Sequence, residues 1–184
     1  YIPYLLIMGV LCALFLKSIP IKASFRDQLD IMKDKHTWFC TITYVMTFGS
    51  FSGFAAAFPL MIKTIYGGFE GAPDALQYAY LGPLIGSLIR AIGGPLSDKW
   101  GGSIFTQLSG AGLIVGCLAL ILGGYLTPTS LDQFPMFVYI MLWIFLMAGI
   151  GNFSTFRQYP IVFAHSPRQG AQVLGWTGAW AAYG

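Results

Sequence analysis

Residues 77–102 read QYAYLGPLIGSLIRAIGGPLSDKWGG, and this stretch sets the class of fold. From 77 to 97 the run carries no charge except Arg90, and it is as long as a helix that crosses a bilayer. Charged residues return only at Asp98 and Lys99, where the run ends. The stretch therefore predicts a membrane-spanning helix with one cation at membrane depth.

The composition of the whole chain agrees with this prediction. Of its 184 residues 9% are charged and 56% are hydrophobic, and the mean hydropathy is +0.68. A soluble domain carries roughly 25% charged residues, which cover its surface. The composition excludes an ordinary soluble enzyme, a nucleic-acid-binding module and a disordered chain, and it indicates a protein in a lipid bilayer.

Apolar segments alternate with polar connections along the chain. The segments are 1–16, 37–62, 77–97, 104–126, 135–156 and 172–184. The four inner segments are long enough for tilted membrane-spanning helices. The first and last are shorter, so we expect both to be cut inside spans. The pattern predicts an all-α membrane protein.

The basic residues lie mostly on one side of the predicted bilayer. The connections at 17–36, 98–103 and 157–171 together carry eight Lys and Arg residues, whereas those at 63–76 and 127–134 carry one. Cytoplasmic connections of membrane proteins are enriched in Lys and Arg. We therefore expect 17–36, 98–103 and 157–171 to be cytoplasmic.

Arg90 is the strongest functional candidate. A mid-membrane Arg costs at least about 2.5–3.5 kcal/mol, and all seven acidic residues of the chain fall in connections or at span ends. The functional interpretation is a fixed cation in a water-filled cavity that binds an anionic substrate. The alternatives are a carboxylate partner outside this chain, or a side chain that reaches the bilayer surface.

Tyr44 and Phe48 lie four residues apart, so they share one face of the second apolar segment. A phenolic donor beside an aromatic ring suits a small planar anion, which needs a hydrogen bond and an apolar wall. Packing between helices is the alternative interpretation of this pair.

Other kinds of chemistry find little support in the sequence. No catalytic Ser/His/Asp set, metalloprotease or phosphate-loop motif is present, and Cys12, Cys40 and Cys117 lack metal-ligand spacing. We therefore expect no enzyme activity, cofactor or metal. His36 and His165 lie at span ends, so the chain favours anion exchange over proton symport.

A family resemblance begins at residues 93–102, GGPLSDKWGG. This segment resembles the G-x-L-x-D-R/K-x-G loop of the major facilitator superfamily, at its second copy between helices 8 and 9. The resemblance implies that 1–16 is the end of helix 6, 17–36 the cytoplasmic loop between the halves, and 37–184 a C-terminal bundle of helices 7–11. The N-terminal half of the transporter would then be missing. Asp98 can accept hydrogen bonds from a neighbouring helix N terminus and so hold one gate state.

Within the superfamily the chain is similar to the nitrate/nitrite porter family. The similarity lies in Tyr44–Ala56, Gln77–Gly102, Gly149–Phe156 and Leu174–Gly184. It implies a nitrate/nitrite antiporter in a bacterial inner membrane.

The resemblance also assigns roles to individual residues. Arg90 would be one of two buried arginines that bind nitrate, the other lying on helix 2 outside this chain. Tyr44 would donate a hydrogen bond to the substrate, and Phe48 would pack against it. Gly175 and Gly178 would line the pathway on helix 11.

Two groups of small residues have further expected roles in gating. Gly175, Gly178, Ala179 and Ala182 recur on one helix face, where a neighbouring helix could rock or simply pack tightly. Gly149 and Gly151 are interpreted in the same way. We expect Asn152, a polar residue at membrane depth, to be hydrogen-bonded across helices.

Three alternative functions stay open. The transporter could couple nitrate to protons, or it could carry another small anion such as an organic carboxylate. A channel with Arg90 lining its pore is the alternative from a different class.

Overall fold

The computed structural model describes residues 2–17 and 28–183. These residues form helices joined by short connections, with no strand among them, which confirms the predicted all-α class. The helices are α1 Ile2–Phe15, α2 Lys35–Tyr66, α3 Ala75–Ala79, α4 Leu81–Ile92, α5 Gly94–Trp100, α6 Gly102–Leu122, α7 Phe134–Val162 and α8 Pro167–Ala181. Short 3₁₀ turns occur at Leu29–Lys33 and Leu131–Gln133. Most of the predicted 17–36 connection, residues 18–27, lies outside the described residues.

Three of the helices in the described ranges are long and apolar enough to cross a membrane. They are α2, α6, and α7 with its preceding 3₁₀ turn. The predicted span at 77–97 is instead divided into α3, α4 and α5, with breaks at Tyr80 and Gly93. Glycines and prolines in this stretch explain the breaks, because Pro83 and Pro95 remove backbone donors.

The structure also corrects two predicted connections. The connection expected at 98–103 is the single residue Gly101, whose φ of +87° is readily available only to glycine. The connection expected at 157–171 is much shorter, because α7 continues to Val162 and α8 begins at Pro167.

Side chains at the helix starts explain where the chain enters each helix. The Asp34 carboxylate accepts from the backbone N–H of His36 at 2.8 Å, and the Asp74 carboxylate accepts from Leu76 at 3.0 Å. Each bond satisfies one of the free N–H groups of a first turn. Ser166 caps α8 in the same way.

The centre of the bundle is α7, which packs against α2, α4, α6 and α8. Its first half joins the C-terminal half of α2 in an aromatic cluster, here called the packing cluster. The packing cluster consists of Phe58, Tyr66, Phe134, Phe137 and Phe145, all of them buried.

Glycines allow α4 and α7 to cross at close range. A Cβ added at Gly149 would lie 2.6 Å from the carbonyl oxygen of Gly86, and one at Gly86 would lie 2.5 Å from the Phe51 ring. A methyl group at Gly149 therefore requires the backbones to separate. This crossing fixes the position of the turn that follows Gly86 on α4.

Two ion pairs lie at the same end of the described bundle. Arg168 at the start of α8 pairs with Asp30, and Arg157 near the end of α7 pairs with Asp98. At the opposite end the Tyr66 hydroxyl donates to the carbonyl of Tyr125 at 3.1 Å.

Every described residue of α1 is exposed. The helix thus presents apolar side chains on all of its faces, as a helix in contact with lipid or with other protein does.

Candidate functional site

Arg90 lies in the last turn of α4, not in the middle of a continuous span. Gly93 ends the helix, and Pro95 has no N–H to donate to the carbonyl of Ala91. The free carbonyls at a helix C terminus carry partial negative charge, which favours a cation there. The backbone therefore offsets part of the cost of a cation at this depth, a contribution that a continuous helix would not supply.

The Arg90 guanidinium lies over the ring of Phe156 on α7, with Cζ 5.6 Å from the ring centroid. Among the described residues no acidic side chain forms an ion pair with Arg90. Its side chain is exposed at the surface of the described bundle. Its N–H groups are therefore accessible to an anion.

Tyr44 and Phe48 lie on α2 and form a stacked pair, with ring centroids 5.4 Å apart and planes 11° from parallel. Residues Val45–Gly49 form a π-helical turn between them. Such turns are rare and occur frequently at functional sites.

These residues belong to a second aromatic cluster, here called the site cluster: Tyr44, Phe48, Phe156 and Tyr159. The ring of Tyr44 lies 4.8 Å from Phe156 and 6.4 Å from Tyr159, both in edge-to-face geometry. The Tyr159 hydroxyl donates to the carbonyl of Cys40 at 3.2 Å, which ties α7 to α2. Phe156 contacts both the Tyr44 ring and the Arg90 guanidinium, so it links the two. The structure thus brings together the three main predicted residues, Arg90, Tyr44 and Phe48.

Comparison with known proteins gives this arrangement a context. No model of a known protein family matches the chain. The chain is 56% identical over all of its 184 residues to the probable nitrate/nitrite antiporter NarK2 of Thermus thermophilus, and it covers 41% of that protein. It is 38% identical to the nitrate/nitrite transporter NarU of Salmonella typhimurium and 35% identical to NarU of Escherichia coli. Each of these two matches covers 77% of the chain and 29% of the relative.

The chain belongs to the nitrate/nitrite porter family. It spans about two fifths of the length of its Thermus relative and less than a third of the two NarU proteins. The family assignment confirms the predicted major facilitator fold, and with the apolar helices it identifies a multi-pass membrane protein.

Sequence reasoning missed two residues of the site cluster, Phe156 and Tyr159. A signal for them was present, because Asn152, Phe156 and Tyr159 are spaced i, i+4 and i+7 on α7. That spacing places both rings on one face with the polar Asn152. The apolar content of the segment concealed the pattern.

The four glycines with predicted roles differ in how closely other atoms approach them. A Cβ added at Gly151 would contact Ser109 and Thr47, so Gly151, like Gly149, sits in a tight helix crossing. At Gly175 and Gly178 on α8 a Cβ would meet no atom within 4 Å. In the described chain these two glycines therefore border open space.

Asn152 departs from expectation in one respect. Its side chain is 1% exposed, but its Oδ1 has no hydrogen-bond partner among the described residues. The predicted hydrogen bond across helices is therefore wrong for this atom.

Asp98 has a different hydrogen-bond donor from the one expected. Its carboxylate accepts two hydrogen bonds from the Arg157 guanidinium, at 2.8 and 3.1 Å. The expected donor, a helix N terminus, is replaced by this side chain because α7 continues past Arg157 and carries it to α5. Both side chains are about half exposed, at 51% each.

The described parts of the chain contain no candidate metal site. No group of three or more His, Cys, Asp or Glu residues there could hold a metal ion.

Proposed function

We propose that this chain is part of a membrane transporter that exchanges nitrate for nitrite, with Arg90 binding the anion. The observation that carries the proposal is the Arg90 guanidinium, which has no acidic partner among the described residues and lies over the Phe156 ring. The relatives named nitrate/nitrite antiporter and transporter support the choice of substrate.

The chemistry of nitrate fits a guanidinium better than an ammonium. Nitrate is planar, and two of its oxygens can accept parallel N–H bonds from the rigid fork of Arg90. Arginine also stays protonated when it leaves water, because its guanidinium is a far stronger base than an amine. A lysine would keep the charge but lose the paired geometry.

The rings of the site cluster complete the proposed binding surface. Tyr44 donates a hydrogen bond to the anion, and the face of Phe48 covers the plane of the anion. The 5.4 Å stack of Tyr44 on Phe48 supports these roles, since it holds the phenol in a defined direction. Gly175 and Gly178 line the route of the anion along α8, where the open space beside them leaves room.

Exchange follows from the cost of an empty site. We expect Arg90 to face a second arginine in the part of the transporter outside this chain, as the family resemblance implies. Two unpaired guanidinium groups repel, and an anion between them removes the repulsion and favours closure of the two halves. The empty carrier would reorient slowly, so outward movement of one anion would require inward movement of another.

The proposed topology follows the charge asymmetry. The end of the bundle that carries Arg157, Arg168 and Lys99 faces the cytoplasm, and the membrane is a bacterial inner membrane. Residues 1–16 end helix 6, the loop at 17–36 joins the halves, and 37–184 carry helices 7–11. A non-catalytic role is consistent with the names of the relatives, which are transporters.

The test is uptake of labelled nitrate by proteoliposomes that hold the full-length protein. Half of the vesicles are loaded with nitrite and half are empty, and wild type is compared with Arg90→Lys. The expected result is uptake that requires internal nitrite and falls at least about 100-fold in Arg90→Lys, because the paired hydrogen bonds are lost. Arg157→Lys is the matched control, since its pair with Asp98 is half exposed and tolerates a point charge.

Other outcomes separate the competing functions. Uptake into empty vesicles under an acid-outside gradient would indicate proton symport. Exchange of formate but not nitrate would indicate a carrier of another anion. An anion current far above a carrier's turnover would indicate a channel, and full uptake by Arg90→Lys would remove Arg90 from the site.

A further inference from the structure

We propose that Phe156 is a positioning residue for Arg90, which it orients through the face of its ring and leaves charged for the anion. This inference rests on the proposed function and extends it to a residue on α7. The juxtaposition that carries it is the 5.6 Å distance from the Arg90 Cζ to the Phe156 ring centroid.

An anion site needs a fixed cation, but the usual way of fixing an arginine defeats that purpose. A carboxylate would hold the guanidinium through its N–H edge and cancel its charge. Among the described residues, Asp98 does this to Arg157 with two hydrogen bonds. Arg157 is therefore held but not available to a second anion.

An aromatic ring holds a guanidinium in a different way. The attraction is between the cation and the negative face of the ring, so it uses the flat side of the guanidinium. The N–H groups lie in the guanidinium plane and stay available for hydrogen bonds. Phe156 can thus limit the rotamers of Arg90 without occupying a donor and without adding a negative charge.

The ring of Phe156 is itself well fixed. It packs at 4.8 Å against Tyr44 and at 6.0 Å against Tyr159, in both cases close to edge-to-face. Tyr159 is buried and its hydroxyl is bonded to the carbonyl of Cys40. A ring held by two neighbours is a rigid support, and rigidity is what a long flexible side chain such as Arg90 lacks.

The test replaces Phe156 in the full-length protein by mono-, di- and trifluorinated phenylalanine. Each fluorine weakens the negative face of the ring and hardly changes its shape, so packing is retained while the attraction for a cation declines. The nitrate Kd, measured by calorimetry, is expected to rise stepwise to about two- to fivefold for the trifluorinated ring. Phe156→Leu should raise it by at least as much, whereas Phe156→Trp should keep the wild-type Kd.

Phe105 provides the matched control. It is also half-buried and packs against two rings, at 6.1 Å from Trp100 and 5.7 Å from Phe153, but it does not contact Arg90. Trifluorination at Phe105 should leave the nitrate Kd unchanged.

The result distinguishes this inference from the function on which it rests. A nitrate Kd that is the same for all the fluorinated rings at position 156 overturns the positioning role and leaves the nitrate site in place. Failure of the wild-type protein to bind nitrate, nitrite or formate overturns both.

Discussion

The packing cluster and the site cluster are built from the same materials. Each combines aromatic residues of α2 with aromatic residues of α7, at opposite ends of the bundle. They differ in what α4 presents to them. Gly82 of α4 packs directly against the Phe145 ring of the packing cluster, whereas Arg90, two turns later, lies over Phe156 of the site cluster.

This difference shows what distinguishes the proposed binding site at the site cluster from the packed core at the packing cluster. A glycine lets the helices close on the rings, which excludes water and leaves nothing to recognise. Arg90 instead places a positive charge against the rings of the site cluster. The aromatic residues give both clusters rigidity, but only the site cluster has a cation beside it, which is the proposed anion-binding group.

The largest expected effect separates the two clusters by their response to nitrate. Nitrate at about 100 times its Kd should stabilise the folded protein by about 2.7 kcal/mol, because it binds the folded state alone. Arg90→Lys should abolish most of this stabilisation. Phe137→Leu should lower the melting temperature of the protein but retain the stabilisation by nitrate. Thermal unfolding with and without nitrate measures both. Equal loss of the nitrate response in the two variants would mean that the clusters do not differ in function.

The second prediction concerns the crossing that positions α4. Gly149→Ala should destabilise the bundle by about 1–3 kcal/mol, because its Cβ would meet the Gly86 carbonyl and Ile89, the neighbour of Arg90. Uptake should fall as well, since α4 carries Arg90.

Gly178→Ala is the control for this crossing. Its Cβ would meet no atom within 4 Å, so stability should stay within about 0.5 kcal/mol of wild type. Thermal unfolding of the two variants makes the comparison. A Gly149→Ala protein as stable as Gly178→Ala would show that the close crossing does not hold α4 in place.

The third prediction compares one hydroxyl from each cluster. Tyr66→Phe removes the bond to the Tyr125 carbonyl, so it should cost about 1 kcal/mol of stability and leave the nitrate Kd unchanged. Tyr44→Phe should do the reverse, raising the nitrate Kd by about three- to tenfold with little effect on stability. Calorimetry and thermal unfolding of both variants check this. A Tyr44→Phe protein with the wild-type Kd would remove Tyr44 from the substrate contacts.

Much of the fold was predictable because it follows from hydrophobicity. The apolar runs that became α2, α6 and α7 are long and continuous, so the sequence places these spans correctly. The interruption at Gly93 was harder to predict, because Gly and Pro are tolerated in membrane helices and do not by themselves end one. The position of Arg90 in a final turn follows from that interruption.

The candidate site was predictable only where a charged or polar side chain interrupts the apolar sequence. Arg90 stands out as a charge in a span, and Tyr44 and Phe48 are adjacent on one face. Phe156 was missed because its spacing with Asn152 and Tyr159 is concealed among the apolar residues of the segment, and its contact with Arg90 depends on how α4 crosses α7. The ion pair of Asp98 with Arg157 was also missed. The predicted apolar segment ended at 156, so Arg157 was expected in a connection and not on α7.

The last and smallest effect lies outside both clusters, at the contact between the Leu29–Lys33 turn and α8. Desolvation tends to raise the pKa of Asp30, but hydrogen bonds from Arg168 and Gln169 outweigh it, so the pKa lies below its usual value. A carboxylate whose pKa is lowered by folding adds stability above its unfolded pKa of about 3.9, and that stability is lost as the pH falls through the folded pKa. Wild type should therefore be slightly more stable than Asp30→Asn at pH 7, and the difference should disappear below about pH 4.

Thermal unfolding between pH 3 and pH 7 tests this dependence, with Asp132→Asn as the control. Asp132 is exposed at the opposite end and forms no ion pair among the described residues, so its variant should follow wild type at every pH. A constant difference between wild type and Asp30→Asn down to pH 3 would mean that the amide fails for steric reasons and that the charge of Asp30 contributes nothing. A difference that closes with falling pH would locate a charge-dependent contact at the basic end of the bundle. Protonation of Asp30 should not affect the two aromatic clusters, because neither contains a carboxylate.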